Sequence, residues 1–179
     1  MKDEMVRSST FTFAAADGLA LFVYRWLPEA TPKAVVQIAH GLVEHAGRYA
    51  RLAKALTRAG YAVFAGDHRG HGRTAATPED LGFFAEQDGW CRCVDDLWGL
   101  NQRIAIDYPG LPNCAHRPFH GLTYGPAFHQ RARRSAFRPL LPRGPPRPAS
   151  CSPGWVRRLT TEITQAVGIH SRRGAVPGP

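Results

Sequence analysis

The stretch AVVQIAHGLVEHAGRYARLAKALTRAGYAVFAGDHRGHGRT, residues 34–74, decides the fold. It begins with a short continuous apolar run, Ala34 to His40, which is typical of a strand buried on both faces of a sheet. A second run of this kind extends from Tyr61 to Asp67. Between the two runs, apolar residues at helical spacing precede Gly60, which lies where a helix C-cap belongs: Tyr49, Leu52, Ala53 and Leu56. This order predicts two parallel strands joined by a right-handed crossover helix.

The flanking sequence extends the same α/β pattern. Upstream, TFTFAAADGLALFVYRWLP contains two alternating runs around Asp17-Gly18, which predicts a β-hairpin. Downstream, a second helix ends at the sequence Asp107-Tyr-Pro-Gly, and one apolar face defines it: Trp90, Val94, Leu97, Leu100 and Ile104. The next element in such a fold is a strand that begins near Leu111.

The character of the chain changes at Pro112. Residues 1–112 hold 12 Lys and Arg against 13 Asp and Glu, whereas residues 113–179 hold 11 Arg, no Lys and one acidic residue, Glu162. Ten of the 15 prolines also lie after Pro112. Proline removes an amide donor and disfavours helix at the residue before it. We therefore predict an α/β domain over residues 1–112 and a disordered, basic Arg/Pro-rich tail over residues 113–179.

Targeting and redox signals favour a cytoplasmic protein. The start, MKDEMVRSS, mixes acidic and basic residues and lacks the apolar middle of a secretory signal peptide. No apolar run approaches the roughly 20 residues that span a bilayer. Four cysteines show neither a disulfide framework nor a zinc-binding spacing: Cys91, Cys93, Cys114 and Cys151.

Residues 39–74 carry a resemblance to a known family. The His-Gly pair after the third strand, the sequences Glu44-His45 and Arg48-Tyr49, and the loop Asp-His-Arg-Gly-His-Gly from Asp67 are all present. This combination resembles the α/β hydrolases, specifically the monoacylglycerol lipase and lysophospholipase-like branch. The resemblance extends from about Phe11 to Pro112 and implies a truncated α/β-hydrolase sheet in this chain. It also implies that the missing strand belongs beside Ala34 to His40, so this run is expected to keep one edge of amides and carbonyls unpaired. An apolar edge of this kind favours aggregation.

The resemblance also implies a chemistry. These enzymes hydrolyse carboxylic esters of lipids or small molecules with a serine, a histidine, an acid and an oxyanion hole, and they need no cofactor. One oxyanion-hole amide follows the third strand, which maps this role onto His40, Gly41 and Leu42 with the Leu42 N–H as the donor. The alternative is that Gly41 only turns the chain.

The nucleophile of the family is missing. It belongs in a Gly-x-Ser-x-Gly elbow after the next strand. None of the serines lies between two such glycines: Ser8, Ser9, Ser135, Ser150, Ser152 and Ser171. The orienting acid is also missing, because Glu162 is the only carboxylate side chain after Asp107. We assign no catalytic residue and predict that the chain is inactive.

A one-base shift of the reading frame explains this loss. Codons that encode Asn-Cys-Ala-His-Arg-Pro-Phe-His-Gly-Leu-Thr-Tyr-Gly from Asn113 can be read one base later as Thr-Ala-Leu-Ile-Gly-His-Ser-Met-Gly-Ser-Leu-Met-Ala. The shifted reading is a buried strand followed by a serine elbow, at the place where the family has both. A shifted GC-rich frame also tends to give Arg, Pro, Gly and Ala, so the tail composition needs no selected function.

Three other interpretations stay open. The Arg-rich tail can serve a non-enzymatic protein that binds nucleic acid or another anion, although we expect no specific nucleic-acid partner. A divergent hydrolase can have a relocated nucleophile. Four histidines suggest a metal site, but no recognisable ligand spacing accompanies them, and we predict no metal: His40, His45, His68 and His71.

Overall fold

The computed structural model describes residues 6–116. Five strands form one mixed sheet in the order β1-β2-β4-β3-β5, and two helices accompany them. The strands are β1 (Arg7–Ala14), β2 (Ala20–Leu27), β3 (Ala34–Ala39), β4 (Tyr61–Gly66) and β5 (Asn113–His116). The helices are α1 (Ala50–Arg58) and α2 (Gly89–Asp107). The α/β class expected from the sequence is confirmed.

The predicted hairpin and crossover are both present. Strands β1 and β2 are antiparallel around the Asp17-Gly18 turn, where Gly18 has a φ of +86°. Strands β3 and β4 are parallel neighbours, with Ala39 opposite Gly66 at their carboxyl ends. Helix α1 connects them and ends before Gly60, whose φ of +93° favours glycine.

The continuous apolar character of β3 follows from its burial on both faces. Val36 and Ile38 pack in a cluster with Ala53 and Leu56 of α1. Val35 packs in a second cluster with Leu100 and Ile104 of α2. Because alternate residues of a strand point to opposite faces, a strand covered by helices on both sides needs apolar residues throughout.

The sheet extends past Pro112, where the sequence analysis ends the domain. Residues 113–116 form β5, which pairs in parallel with β3 from Val35 opposite Asn113 to Ile38 opposite His116. The expectation that β3 keeps an unpaired edge is therefore wrong. The physical reason is that a ladder uses backbone amides and carbonyls, and Asn113–His116 contains no proline to remove a donor.

A buried polar network joins β5 to the rest of the domain. The Gln37 side chain of β3 donates to the Leu97 carbonyl at 3.0 Å and accepts from the Asn101 amide at 2.8 Å. The Asn113 side chain in turn donates to the Asn101 carbonyl at 3.2 Å. These bonds tie the start of β5 to α2.

Two further predictions concern the tail and membrane-spanning helices. The predicted disorder of the tail concerns residues outside the described part of the chain from residue 117 onward. Neither helix within residues 6–116 is long and apolar enough to cross a bilayer.

Candidate functional site

Two loops meet at the carboxyl edge of the sheet. Loop A, residues 40–45, follows β3, and loop B, residues 67–75, follows β4. Because β3 and β4 are parallel neighbours, their carboxyl ends open on the same edge, where open α/β sheets place their ligands. The predicted oxyanion residues His40, Gly41 and Leu42 all lie in loop A.

Asp67, the first residue of loop B, bonds to the chain on both sides of the junction between the two loops. Its side chain is buried, and its two carboxylate oxygens accept the Ala46 N–H at 2.7 Å and the Arg73 N–H at 2.8 Å. Gly72 passes so close that a Cβ there would lie 2.4 Å from the Asp67 carboxylate, and its φ is +52°. Only glycine therefore fits at position 72 without a shift of the carboxylate.

The His40 ring fixes the peptide that carries the candidate oxyanion amide. His40 Nε2 accepts the His68 N–H at 2.9 Å, so the proton of the neutral ring lies on Nδ1. Nδ1 then donates to the Gly41 carbonyl at 2.7 Å. The Gly41 carbonyl and the Leu42 N–H belong to one planar peptide, so this bond restrains the peptide that carries the Leu42 N–H.

Burial keeps both histidines of this pair neutral. The His40 and His68 rings lie 3.8 Å apart between centroids, and His68 Nε2 donates to the His40 carbonyl at 3.0 Å. Burial, the largest cause in each case, lowers the pKa of His40 to about 4 and the pKa of His68 to about 3. Both rings therefore serve as neutral hydrogen-bonding groups at neutral pH.

Glu44 holds the preceding peptide of loop A. Its Oε1 accepts the Gly41 N–H at 2.7 Å and also accepts the Tyr49 hydroxyl. Burial raises the pKa of the Glu44 carboxyl, but the bonds from Tyr49 and Gly41 outweigh burial and leave the pKa below its usual value. Glu44 is thus an ionised acceptor that occupies the Gly41 amide.

The Leu42 amide differs from the Gly41 amide in its hydrogen bonding. The neighbouring Gly41 amide is occupied by Glu44, whereas the Leu42 N–H has no hydrogen-bond partner among the described residues. The Leu42 side chain is 44% exposed, so solvent or a ligand can reach this position. An unoccupied amide at the carboxyl end of β3 is the arrangement that a developing oxyanion requires.

Loop B is anchored on its other side by a buried ion pair. Arg69 donates to both carboxylate oxygens of Asp96 on α2, at 2.7 and 2.9 Å. It also donates to Asp17 of the hairpin turn at 3.0 Å. The Arg69 bond is the largest cause that lowers the pKa of Asp17 to about 2. The Arg69 side chain is 4% exposed, so the hairpin, loop B and α2 are held together by one desolvated guanidinium.

The described part of the structure supports neither a metal site nor a relocated serine nucleophile. Within residues 6–116, no group of three or more His, Cys, Asp or Glu residues is placed to hold a metal ion. Ser8 and Ser9 lie on β1, which two strands separate from β3, and the Ser9 hydroxyl accepts from Arg25. The described serines therefore lie away from loop A and cannot attack a carbonyl bound at Leu42.

The sequence analysis assigned no role to Glu44, Asp67, His68 or His71. All four lie in the segment that carries the family resemblance, and Asp67 directly follows a predicted strand. A buried-strand pattern followed by an acidic residue was the available signal for Asp67. The contacts of Glu44 and the histidines depend on how loops A and B pack, which spacing alone does not reveal.

Comparison with known proteins shows what this part of the chain is similar to. Residues 30–116 match the family model described as serine aminopeptidase, S33. The chain is 38% identical over 104 residues to a monoacylglycerol lipase of Mycolicibacterium smegmatis, covering 58% of this chain and 35% of that protein. It is 51% identical over 97 residues to the monoglyceride lipase of Rattus norvegicus, covering 54% of this chain and 30% of that protein.

Solved structures agree with the sequence matches. A structure titled as the open form of a lipase superposes with a TM-score of 0.59 and 33% identity, and the match covers 68% of this chain and 39% of that one. The sheet is therefore a partial α/β-hydrolase fold. The chain spans about a third of the length of the monoacylglycerol lipases that it matches.

Proposed function

From the premise that the N-terminal part of the chain belongs to the α/β-hydrolase family, we propose that it carries the oxyanion-binding side of a carboxylic ester hydrolase. The substrate class is a monoacylglycerol or a similar lipid ester, as the names of the relatives suggest. The observation that carries this proposal is the Leu42 N–H at the end of β3, which has no hydrogen-bond partner within residues 6–116, beside a Gly41 amide that Glu44 already occupies.

The chain as it stands lacks the nucleophilic side of the reaction. Acyl transfer needs a serine hydroxyl at the end of the strand beside β3, and that strand is β5. The sequence after β5 reads Arg117-Pro-Phe-His-Gly and contains no serine. We expect no serine-dependent turnover, because the nucleophile and its orienting acid are missing together.

The reading-frame shift accounts for the residues found in β5. The strand position beside Val35–Ile38 carries Asn-Cys-Ala-His, where a buried parallel strand favours an apolar run. Read one base later, compatible codons give Thr-Ala-Leu-Ile at this position and Gly-His-Ser-Met-Gly directly after it. One displaced base therefore explains both an unusual strand and a missing elbow.

The activity test uses the purified full chain. We expect no hydrolysis of p-nitrophenyl butyrate above buffer and no covalent labelling by a fluorophosphonate probe. The Mycolicibacterium smegmatis relative, assayed in parallel, is the positive control. Labelling of the chain, or turnover that the fluorophosphonate abolishes, would support a relocated nucleophile and contradict the proposed inactivity.

A second candidate function rests on the charge of residues 113–179. Their 11 arginines against one carboxylate favour binding to a polyanion. Such binding is electrostatic, so its affinity for a double-stranded oligonucleotide falls steeply between 50 and 200 mM salt, roughly 10³-fold or more for several phosphate contacts. A chain ending at residue 116 is the matched control, and retained binding by that control would exclude the tail as the binding segment.

The cytoplasmic location predicted from the sequence stays a prediction.

A further inference from the structure

His71 bridges the two loops that form the candidate site. It lies in loop B and is 7% exposed. Its Nδ1 lies 2.9 Å from the Arg69 carbonyl in the same loop, and its Nε2 contacts the Leu42 carbonyl in loop A. Both ring nitrogens face carbonyl oxygens, and a neutral ring has one proton to donate to one of them. With that proton on Nε2, His71 donates to the Leu42 carbonyl and Nδ1 makes no hydrogen bond to the Arg69 carbonyl.

The segment that His71 contacts has little other support. Val43 is 90% exposed and Leu42 is 44% exposed, so side-chain packing holds neither residue firmly. His40 bonds the peptide before Leu42, and among the described residues the His71 ring makes the only hydrogen bond to the peptide between Leu42 and Val43. A peptide without another bond or packing is expected to move unless this contact restrains it.

The ring itself is held in place. The His40 ring lies 5.4 Å from the His71 ring between centroids, and the Phe84 ring lies 5.5 Å away. Gly70, one residue before His71, accepts the Gly82 N–H at 2.7 Å. The imidazole therefore has neighbours that fix its position independently of the Leu42 carbonyl.

We propose that His71 is a positioning residue for the oxyanion amide: its ring holds the Leu42 carbonyl and thereby keeps the Leu42 N–H directed outward. This role rests on the proposed function of Leu42. His40 restrains the peptide before Leu42, and His71 restrains the peptide after it. Because both φ and ψ of Leu42 are then bounded, the direction of its N–H is set before any ligand arrives.

The test separates the two ring nitrogens. In His71→Gln the side-chain amide reaches about as far as Nε2, whereas in His71→Asn it reaches only about as far as Nδ1. Gln is therefore expected to keep the bond to Leu42, and Asn is expected to lose it while retaining a polar group near Arg69. His45→Asn is the matched control, because His45 is an exposed histidine of the same loop as Leu42.

The measurement is the backbone order parameter of the Leu42 and Val43 amides in the full chain by ¹⁵N relaxation. We expect values near 0.85 in the parent, His71→Gln and His45→Asn, and values below about 0.6 in His71→Asn. A merely structural role for His71 predicts that Gln and Asn have the same effect. Equal order in His71→Gln and His71→Asn, whether high or low, would overturn the proposal.

A second measurement needs no variant. The Nε2 proton of His71 is expected to give a resolved resonance that exchanges slowly with water, because it is buried and donated to Leu42. A ring with no proton on Nε2 would overturn the proposal on its own. Failure of the proposed function would show instead as absent ester hydrolysis in a frame-restored protein, which leaves these order parameters unchanged.

Discussion

The ends of β3 and β5 lie side by side and differ in what they supply. After β3, loop A presents an outward amide, and the groups that restrain it all lie before Thr74: His40, Glu44, His68 and His71. After β5, where the family has its serine elbow, the sequence has an arginine and a proline. An oxyanion amide is a backbone group that the fold can hold, whereas a nucleophile is one particular side chain. A single displaced base can therefore remove the second and leave the first in place.

Restoring the reading frame is expected to have the largest effect, because it gives the end of β5 the nucleophile that it lacks. Removal of one base at the junction of the Pro112 and Asn113 codons is expected to convert the segment after β5 into a Gly-His-Ser-Met-Gly elbow. Ester turnover should then rise from background by roughly 10⁴- to 10⁶-fold, the range lost when catalytic triads are removed. The assay is hydrolysis of p-nitrophenyl butyrate by the purified product.

Two controls accompany this change. Removal of three bases at the same junction keeps the present frame and should give no activity. The frame-restored protein with its elbow serine replaced by alanine should also be inactive. A frame-restored, folded and inactive protein would contradict the account of the β5 end.

Acid is expected to lower the free energy of unfolding through the two buried histidines at the end of β3. Burial lowers the pKa of His40 to about 4 and the pKa of His68 to about 3 in the folded protein, against the ordinary histidine pKa of 6.5. Between pH 6.5 and about 4 the unfolded chain binds more protons than the folded chain, so the free energy of unfolding falls as pH falls. From pH 7 to pH 5 the loss is about 4 kcal/mol for the two histidines, at about 1.4 kcal/mol per pKa unit.

Denaturant unfolding at pH 7, 6 and 5 measures this loss. His40→Gln, which has no titrating ring, is expected to lose about half of the pH dependence. An unfolding free energy that is constant over this range would show that the two rings do not stay neutral in the folded protein.

Loss of the Asp67 carboxylate is expected to separate loops A and B. Asp67→Asn places an amide donor against either the Ala46 N–H or the Arg73 N–H, and this leaves one buried donor unsatisfied. The cost is about 2 kcal/mol of unfolding free energy. Asp107→Asn is the matched control, because Asp107 makes an exposed pair with Arg103 at the end of α2. Equal effects of the two substitutions would contradict the role of Asp67.

The smallest expected loss of stability is for the exposed ion pair between Arg92 and Asp17, which lies beside loop B. Arg92 donates to Asp17 at 2.8 Å, but its side chain is 44% exposed. Arg92→Ala is therefore expected to cost less than about 0.5 kcal/mol in thermal or denaturant unfolding. A cost above about 2 kcal/mol would mean that the Asp17–Arg69–Asp96 cluster depends on Arg92 for its integrity.

The parts of the fold that follow from local pattern could be predicted. The runs at Ala34–Ala39 and Tyr61–Gly66 are apolar throughout because helices cover both faces of the sheet, and both were found as strands. Strand β5 could not be assigned to Asn113–His116, because these residues have no strand pattern, and the ladder that pairs them with β3 uses backbone groups.

The site was predictable only in its position. His40-Gly41-Leu42 was located through the family resemblance, and these residues lie at the carboxyl edge as expected. Their restraints were not predicted, because the contacts of Leu42 with His71 and of Ala46 with Asp67 join residues 29 and 21 positions apart. Such contacts depend on the packing of two loops, which no periodicity encodes.

The base sequence of the gene across the codons for Leu111 to Gly125 tests the central claim most directly. We expect that the frame beginning one base after the Pro112 codon reads Thr-Ala-Leu-Ile-Gly-His-Ser-Met-Gly and stays open through a later Asp codon and a later His codon. A stop codon soon after the elbow, or codons whose shifted reading contains no serine between two glycines, would contradict the account. The tail would then have to be explained as a coding sequence of its own.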